Sequence, residues 1–121
     1  MPLVDITCAH RVTDDATRRL VAELPHIVSV AVACADEPYD GCLQPGDVLV
    51  RCRAAGPFDR FDLDVLIEVH SKWFPDRAAD RQRRAEQIHD AAVRLLPAGY
   101  LVGVYLSLPV AAWAQTETAT S

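Results

Sequence analysis

Apolar and polar residues alternate in three short stretches of this chain, a fourth is almost continuously apolar, and two longer stretches between them repeat at helical spacing. Residues 2–8 (PLVDITC) read as a strand. Thr13, Asp14 and Asp15 offer capping side chains for a helix that begins near residue 14 and runs to about Leu24. Pro25 has no amide donor, so it is expected to break that helix or to open a new one. From His26 to Ala35 the pattern is two-sided. Val28, Val30 and Val32 alternate as in a strand, yet the residues between them are also mostly small or apolar. Residues 36–46 are rich in turn formers and predict a loop. Residues 47–54 (DVLVRCRA) predict a second strand, with Val48, Val50 and Cys52 on one face and Leu49, Arg51 and Arg53 on the other.

After a loop at residues 56–62, residues 63–70 (LDVLIEVH) predict a third strand whose core face is Leu63, Val65, Ile67 and Val69. Residues 71–77 form a loop containing Pro75. A helix follows from about Ala78 to Leu96, with a buried stripe of Ala78, Ala85, Ile88, Ala92 and Leu95. Pro97-Ala98-Gly99 stops it. Residues 100–108 (YLVGVYLSL) are almost continuously apolar, as expected of a central buried strand. From about Gln115 the chain turns polar, and a loose tail is expected.

The element order is β, α, β, then β, α, β, and each half of roughly fifty to sixty residues suits one crossover unit. The fold class that follows is α+β in a single domain over residues 1–121. Two right-handed β-α-β units form a four-stranded mixed sheet with two helices on one face. The other face is left uncovered. Leu49, Leu101 and Tyr105 on it then need a partner subunit, so a homo-oligomer is expected.

Composition narrows the function. A formal charge of −5 lacks the basic footprint of a nucleic-acid binder. Lys72 is the only lysine, so the positive charge is almost all arginine, the side chain suited to fixed recognition of carboxylates. None of Cys8, Cys34, Cys42 and Cys52 forms a C-x-x-C pair, and no histidine stands at ligand spacing from them, so no metal site is expected. No apolar run is long enough to span a bilayer, and Asp5 and His10 interrupt the region where a leader would need to be apolar. A soluble cytoplasmic protein without membrane association is expected.

One residue carries candidate chemistry. If Met1 is removed, Pro2 becomes a free secondary amine held by its ring, and such an amine can take a proton from one carbon and return it to another without a cofactor. His10, His26 and His70, near turns or a strand end, read as surface or capping groups. Trp73 and Phe74 could wall a pocket or be buried at a subunit contact.

Pro2 at the head of the first strand, the doubled β-α-β plan and the chain length together resemble the tautomerase superfamily. The likeness is greatest to its 5-carboxymethyl-2-hydroxymuconate isomerase group, which belongs to aromatic catabolism. It is carried by Pro2-Leu3-Val4, Leu24-Pro25, Val50 to Ala54, Val65 to Val69, Arg77 and Tyr100-Leu101. The resemblance resolves residues 26–35 toward helix. It implies a homotrimer, Pro2 as catalytic base, and substrate carboxylates bound by Arg51 and Arg77, with Arg53 a second candidate on the strand face of Arg51. The chain departs from the pattern in Phe74-Pro75-Asp76-Arg77, where Asp76 replaces the usual glycine and Lys72 can take the cationic role. A cationic pocket would favour the free amine and stabilise a dienolate. The expected activity is tautomerisation of a small unsaturated hydroxy- or oxo-carboxylate. Decarboxylation or hydration by the same proline is the alternative within enzymes, and an oligomeric small-ligand-binding module the alternative outside them.

Overall fold

The computed structural model describes residues 2–34 and 45–116. Its elements follow the order β1 (Leu3–Cys8), α1 (Asp14–Ala31), a 3-10 turn (Pro45–Asp47), β2 (Leu49–Ala54), β3 (Val65–His70), α2 (Pro75–Ala79), α3 (Arg81–Leu95) and β4 (Val102–Ser107). The strands form one sheet in the order β2-β1-β3-β4. β1 runs parallel to β2 and β3 parallel to β4, while the two units meet antiparallel through β1 and β3. The predicted mixed sheet of two β-α-β units is therefore present. Most of the loop expected at residues 36–46 lies outside the described residues, as does the end of the polar tail.

Burial separates the two faces of the sheet. Val4, Ile6 and Cys8 of β1 and Val65, Ile67 and Val69 of β3 are buried against Leu20, Leu24 and Val28 of α1 and Ile88 and Ala92 of α3. The helices thus cover a single face. On the other, Leu49, Leu101 and Tyr105 are 47%, 60% and 64% exposed. None of the described helices is long and apolar enough to cross a membrane.

Four local expectations change. First, α1 runs unbroken through Pro25 to Ala31. A proline there removes the bond to the carbonyl of Val21, and Val21 lies on the exposed side of the helix, where water can serve that carbonyl. Burial of Leu24 and Val28 on either side favours continuing the helix. Thr13 caps its start as expected, accepting from the amide of Ala16 at 3.2 Å. Second, the later helix comes in two pieces. α2 opens with proline in its first turn and ends at Asp80, whose φ of −126° and ψ of 37° depart from helical values. The Asp80 carboxylate folds onto Arg83 and Arg84 instead of capping α3. Third, β4 is an edge strand and not a central one. Only Val102, Val104 and Leu106 pack toward the core, and the apolar residues between them point at the open face. Fourth, Leu63, expected on the core face of the third strand, precedes β3, which starts only at Val65, and lies across Gly103 on the open face, where an added Cβ would sit 2.8 Å from a Leu63 methyl carbon. Gly99, in the turn that ends α3, has a φ of 95°, which favours glycine.

Candidate functional site

Pro2 sits at one end of the sheet, between the start of β2 and the end of β3. Its carbonyl accepts from the amide of Leu49 at 3.1 Å, and Leu3 is paired with both Leu49 and His70. The Pro2 side chain is fully buried within the single chain. The start of β2, the end of β3 and the C-terminal end of α1 all arrive at this end, because α1 runs back along β1 before the chain enters β2.

Arg77 lies at this same end and is completely buried. Its Nε donates to the carbonyl of Val32 at 2.8 Å, and a terminal nitrogen donates to the carbonyl of Lys72 at 2.6 Å. Its guanidinium carbon stands 5.5 Å from the centre of the Phe74 ring. Arg84 lies beside it, donating to the carbonyls of Ala31 and Ala33 at 3.0 and 2.9 Å and to Asp80 at 2.6 Å. α1 has no basic residue in its own last turn, so these two arginines serve the carbonyls at its negative end. Arg84, with Arg83, holds the Asp80 carboxyl below the usual carboxylate range. Asp76 reaches Arg84 at 3.9 Å. The side chain of Lys72, just past β3, has no hydrogen-bond or ion-pair partner among the described residues.

Arg51 and Arg53 occupy the open face of β2. Arg51 is paired with Asp5 of β1 through Nε at 3.0 Å and through a second nitrogen at 3.4 Å. Asp5 is flanked on its other side by Glu68, so one cation and two carboxylates stand in one row across three strands. Arg53 has no side-chain partner among the described residues. Both arginines line a groove of about 230 Å³ along β2 with Asp5, Ile6 and Cys52. Arg51 pairs with a residue three positions along β1 from Pro2, a distance of about 10 Å. Within one chain, then, Pro2 and Arg77 share an end of the sheet, whereas Arg51 and Arg53 stand on the exposed face beyond it. The largest described cleft, about 510 Å³ between α1 and α3, is lined by none of these residues.

The opposite end of the sheet holds a second polar cluster. Arg11 makes two hydrogen bonds to Asp64, donates to the carbonyl of Gly99 at 3.2 Å and lies 5.1 Å from the Tyr100 ring centre. Asp64 also accepts from the amide of Leu101 at 2.7 Å. The hydrogen bonds from Arg11, then the amide of Leu101, hold its carboxyl below the ordinary range. Sequence reading did not single out Asp64 as the partner of Arg11. It also missed Arg84, although the step of four from Arg84 to Ile88 to Ala92 places all three on one helix stripe.

No protein-family model matches the sequence, and no curated protein matches it. Solved structures do match in fold. A malonate semialdehyde decarboxylase from FG41, inhibited by 3-bromopropiolate, aligns with a TM-score of 0.62 at 15% identity, over 88% of this chain and 82% of that one. A 5-carboxymethyl-2-hydroxymuconate delta-isomerase aligns with a TM-score of 0.53 at 15% identity, over 98% and 87%. A fused 4-OT symmetric trimer aligns with a TM-score of 0.56 at 14% identity, over 88% and 85%. The doubled β-α-β sheet with its helices on one face is the tautomerase-like fold.

Proposed function

We propose that this chain is a cofactor-free tautomerase or isomerase in which Pro2, freed by removal of Met1, is the general base. The observation that carries the reading is the place of Pro2 at the head of β1 in a fold shared with an isomerase and a decarboxylase. The free amine removes a proton from a carbon of a small unsaturated hydroxy- or oxo-carboxylate and returns it at another carbon. Negative charge gathers on a dienolate oxygen and needs a fixed cation. Lys72, with no side-chain partner among the described residues, is a cation at this end of the chain, and Arg77 positions it by holding its carbonyl. Arg51 and Arg53 enter through assembly. A trimer would set the β2 groove of one copy beside the Pro2 end of the next, and the exposed Leu49, Leu101 and Tyr105 supply an apolar face to bury.

The test joins intact mass, light scattering and a tautomerisation assay on enol and dienol acids. We expect Met1 to be absent, a trimer mass, and a Pro2→Ala variant with kcat lowered far more than KM. Arg51→Ala should raise KM and lower kcat as well, because its charge would serve both substrate and dienolate. The rate should rise with pH as the amine loses its proton. Processed protein whose activity ignores Pro2→Ala would end the proposal. The burial of Pro2 favours a second reading, a ligand-binding module with Met1 retained and an acylated, non-basic proline nitrogen. A mass that includes Met1 selects it.

A further inference from the structure

Cys8 and Cys52 are 44 positions apart, a spacing that suggests nothing in the linear sequence. The parallel register of β1 on β2 brings them together. Cys8 is paired with Ala54 and Ile6 with Cys52, so the two cysteines are diagonal neighbours on the helix-facing side of adjacent strands. Both are free thiols, Cys8 buried and Cys52 exposed. They line one pocket of about 340 Å³ with His10, Asp14, Thr17 and Arg53 among its other walls. The Thr17 hydroxyl stands 4.0 Å from the Cys8 sulfur. Burial first, then the neighbouring Cys52 sulfur, pushes the Cys8 thiol up to about 11.

Geometry decides what such a pair can hold. Adjacent strands lie about 4.8 Å apart and two residues advance about 6.6 Å, which puts the two Cα atoms about 8 Å apart. A disulfide needs them within about 7 Å, so this pair cannot close one without moving a strand. Zinc asks for about four ligands. No group of three or more His, Cys, Asp or Glu side chains comes together for a metal among the described residues. A cation content with two ligands escapes both limits. Two metal–sulfur bonds of about 2.3 Å hold the sulfurs about 4.6 Å apart, and the two Cβ–S bonds cover the rest of the diagonal. Paired thiolates select soft cations.

We propose that Cys8 and Cys52 form a two-thiolate site for a soft, two-coordinate cation of the copper(I) class. Each thiol releases its proton as its sulfur–metal bond forms, so one copper(I) ion displaces two protons and leaves a bis-thiolate of charge −1. Arg53 is among the residues lining the same pocket. The metal–sulfur bonds offset the cost of deprotonating the buried Cys8. The proposal does not rest on the Pro2 reading.

The test uses the full, reduced chain without oxygen and copper(I) supplied as its bicinchoninate complex. The wild type should withdraw one copper(I) per chain. Cys8→Ser and Cys52→Ser should each lower the apparent affinity at least tenfold, and the Cys34→Ser/Cys42→Ser variant should keep it. Because Cys52 is exposed, Cys52→Ser reads the site even if Cys8→Ser fails to fold. X-ray absorption should report two sulfur neighbours. Failure of the wild type to withdraw copper(I) would overturn the site, as would full affinity in Cys52→Ser or loss in Cys34→Ser/Cys42→Ser. A Cys8–Cys52 disulfide formed readily with diamide would remove its geometric basis.

Discussion

The two ends of the sheet use the same device in different surroundings. At the Pro2 end, Arg77 and Arg84 of the second half bond to carbonyls at the close of α1. At the Asp64 end, Arg19 of the first half donates to the carbonyl of Leu95 in the last turn of α3, and Arg11 to Gly99 just beyond it. Each half thus terminates the helix of the other. The difference is water. Arg77 and Arg84 are buried, whereas Arg11 and Arg19 are exposed. A carbonyl deprived of its donor in a dry place has no substitute, while one at the surface turns to solvent. The pairings look alike, and their surroundings set their worth.

Substitutions at each end can break or sharpen that contrast. The largest effect is expected from Arg84→Met, which leaves the carbonyls of Ala31 and Ala33 without their arginine. Denaturant unfolding should show a loss of about 3 kcal/mol. An equal loss from Arg19→Ala would abolish the distinction between dry and wet ends.

Asp64→Asn comes next, and its signature is pH dependence. The folded-state Asp64 carboxyl titrates below its unfolded value, so its stabilisation is present above the unfolded value and is lost as pH falls through the folded one. Thermal melts should show the variant weaker than wild type at neutral pH, with the gap closing in acid. A gap that widens in acid would contradict the Arg11 pairing.

Pro25→Ala should raise stability by about 1 kcal/mol. It restores the amide donor to Val21, a gain partly offset by the freer unfolded chain. A melting temperature lowered by this change would mean that α1 depends on its proline. The smallest effect, no more than about 0.5 kcal/mol, is expected from Arg19→Ala at the exposed end.

These contrasts also mark what could be read from the residues. The Val65, Ile67 and Val69 alternation identified a strand with one covered face, because a period of two has a single structural meaning when the intervening residues are mixed. Residues 102–107 carry apolar groups on both faces. Periodicity cannot say whether a second face meets helices or another molecule, and a central position was inferred where an edge is found. Pro25 misled because its local penalty is fixed while the gain from burying Leu24 and Val28 depends on the far side of the core. At the candidate site, Pro2 stands out as a candidate by its position alone. Arg51 and Arg77 were legible as cations but not as partners of Asp5 and of main-chain carbonyls, since those contacts depend on strand register and on where α1 ends. The Cys8 and Cys52 pair was hidden for the same reason.

The close of α1 has a consequence for the order in which this chain can fold. Thr13 lets the helix start from a signal three residues away, but its end waits for donors 45 to 53 positions downstream. A nascent first half can nucleate the front of α1 alone, and the last turn frays until the second half has been made and docked. Closure of that long loop is an entropic step before the final carbonyls gain their donors. Amide exchange in the last turn of α1 should therefore slow only as the amides of α3 do, so that the two halves protect one another in a single event.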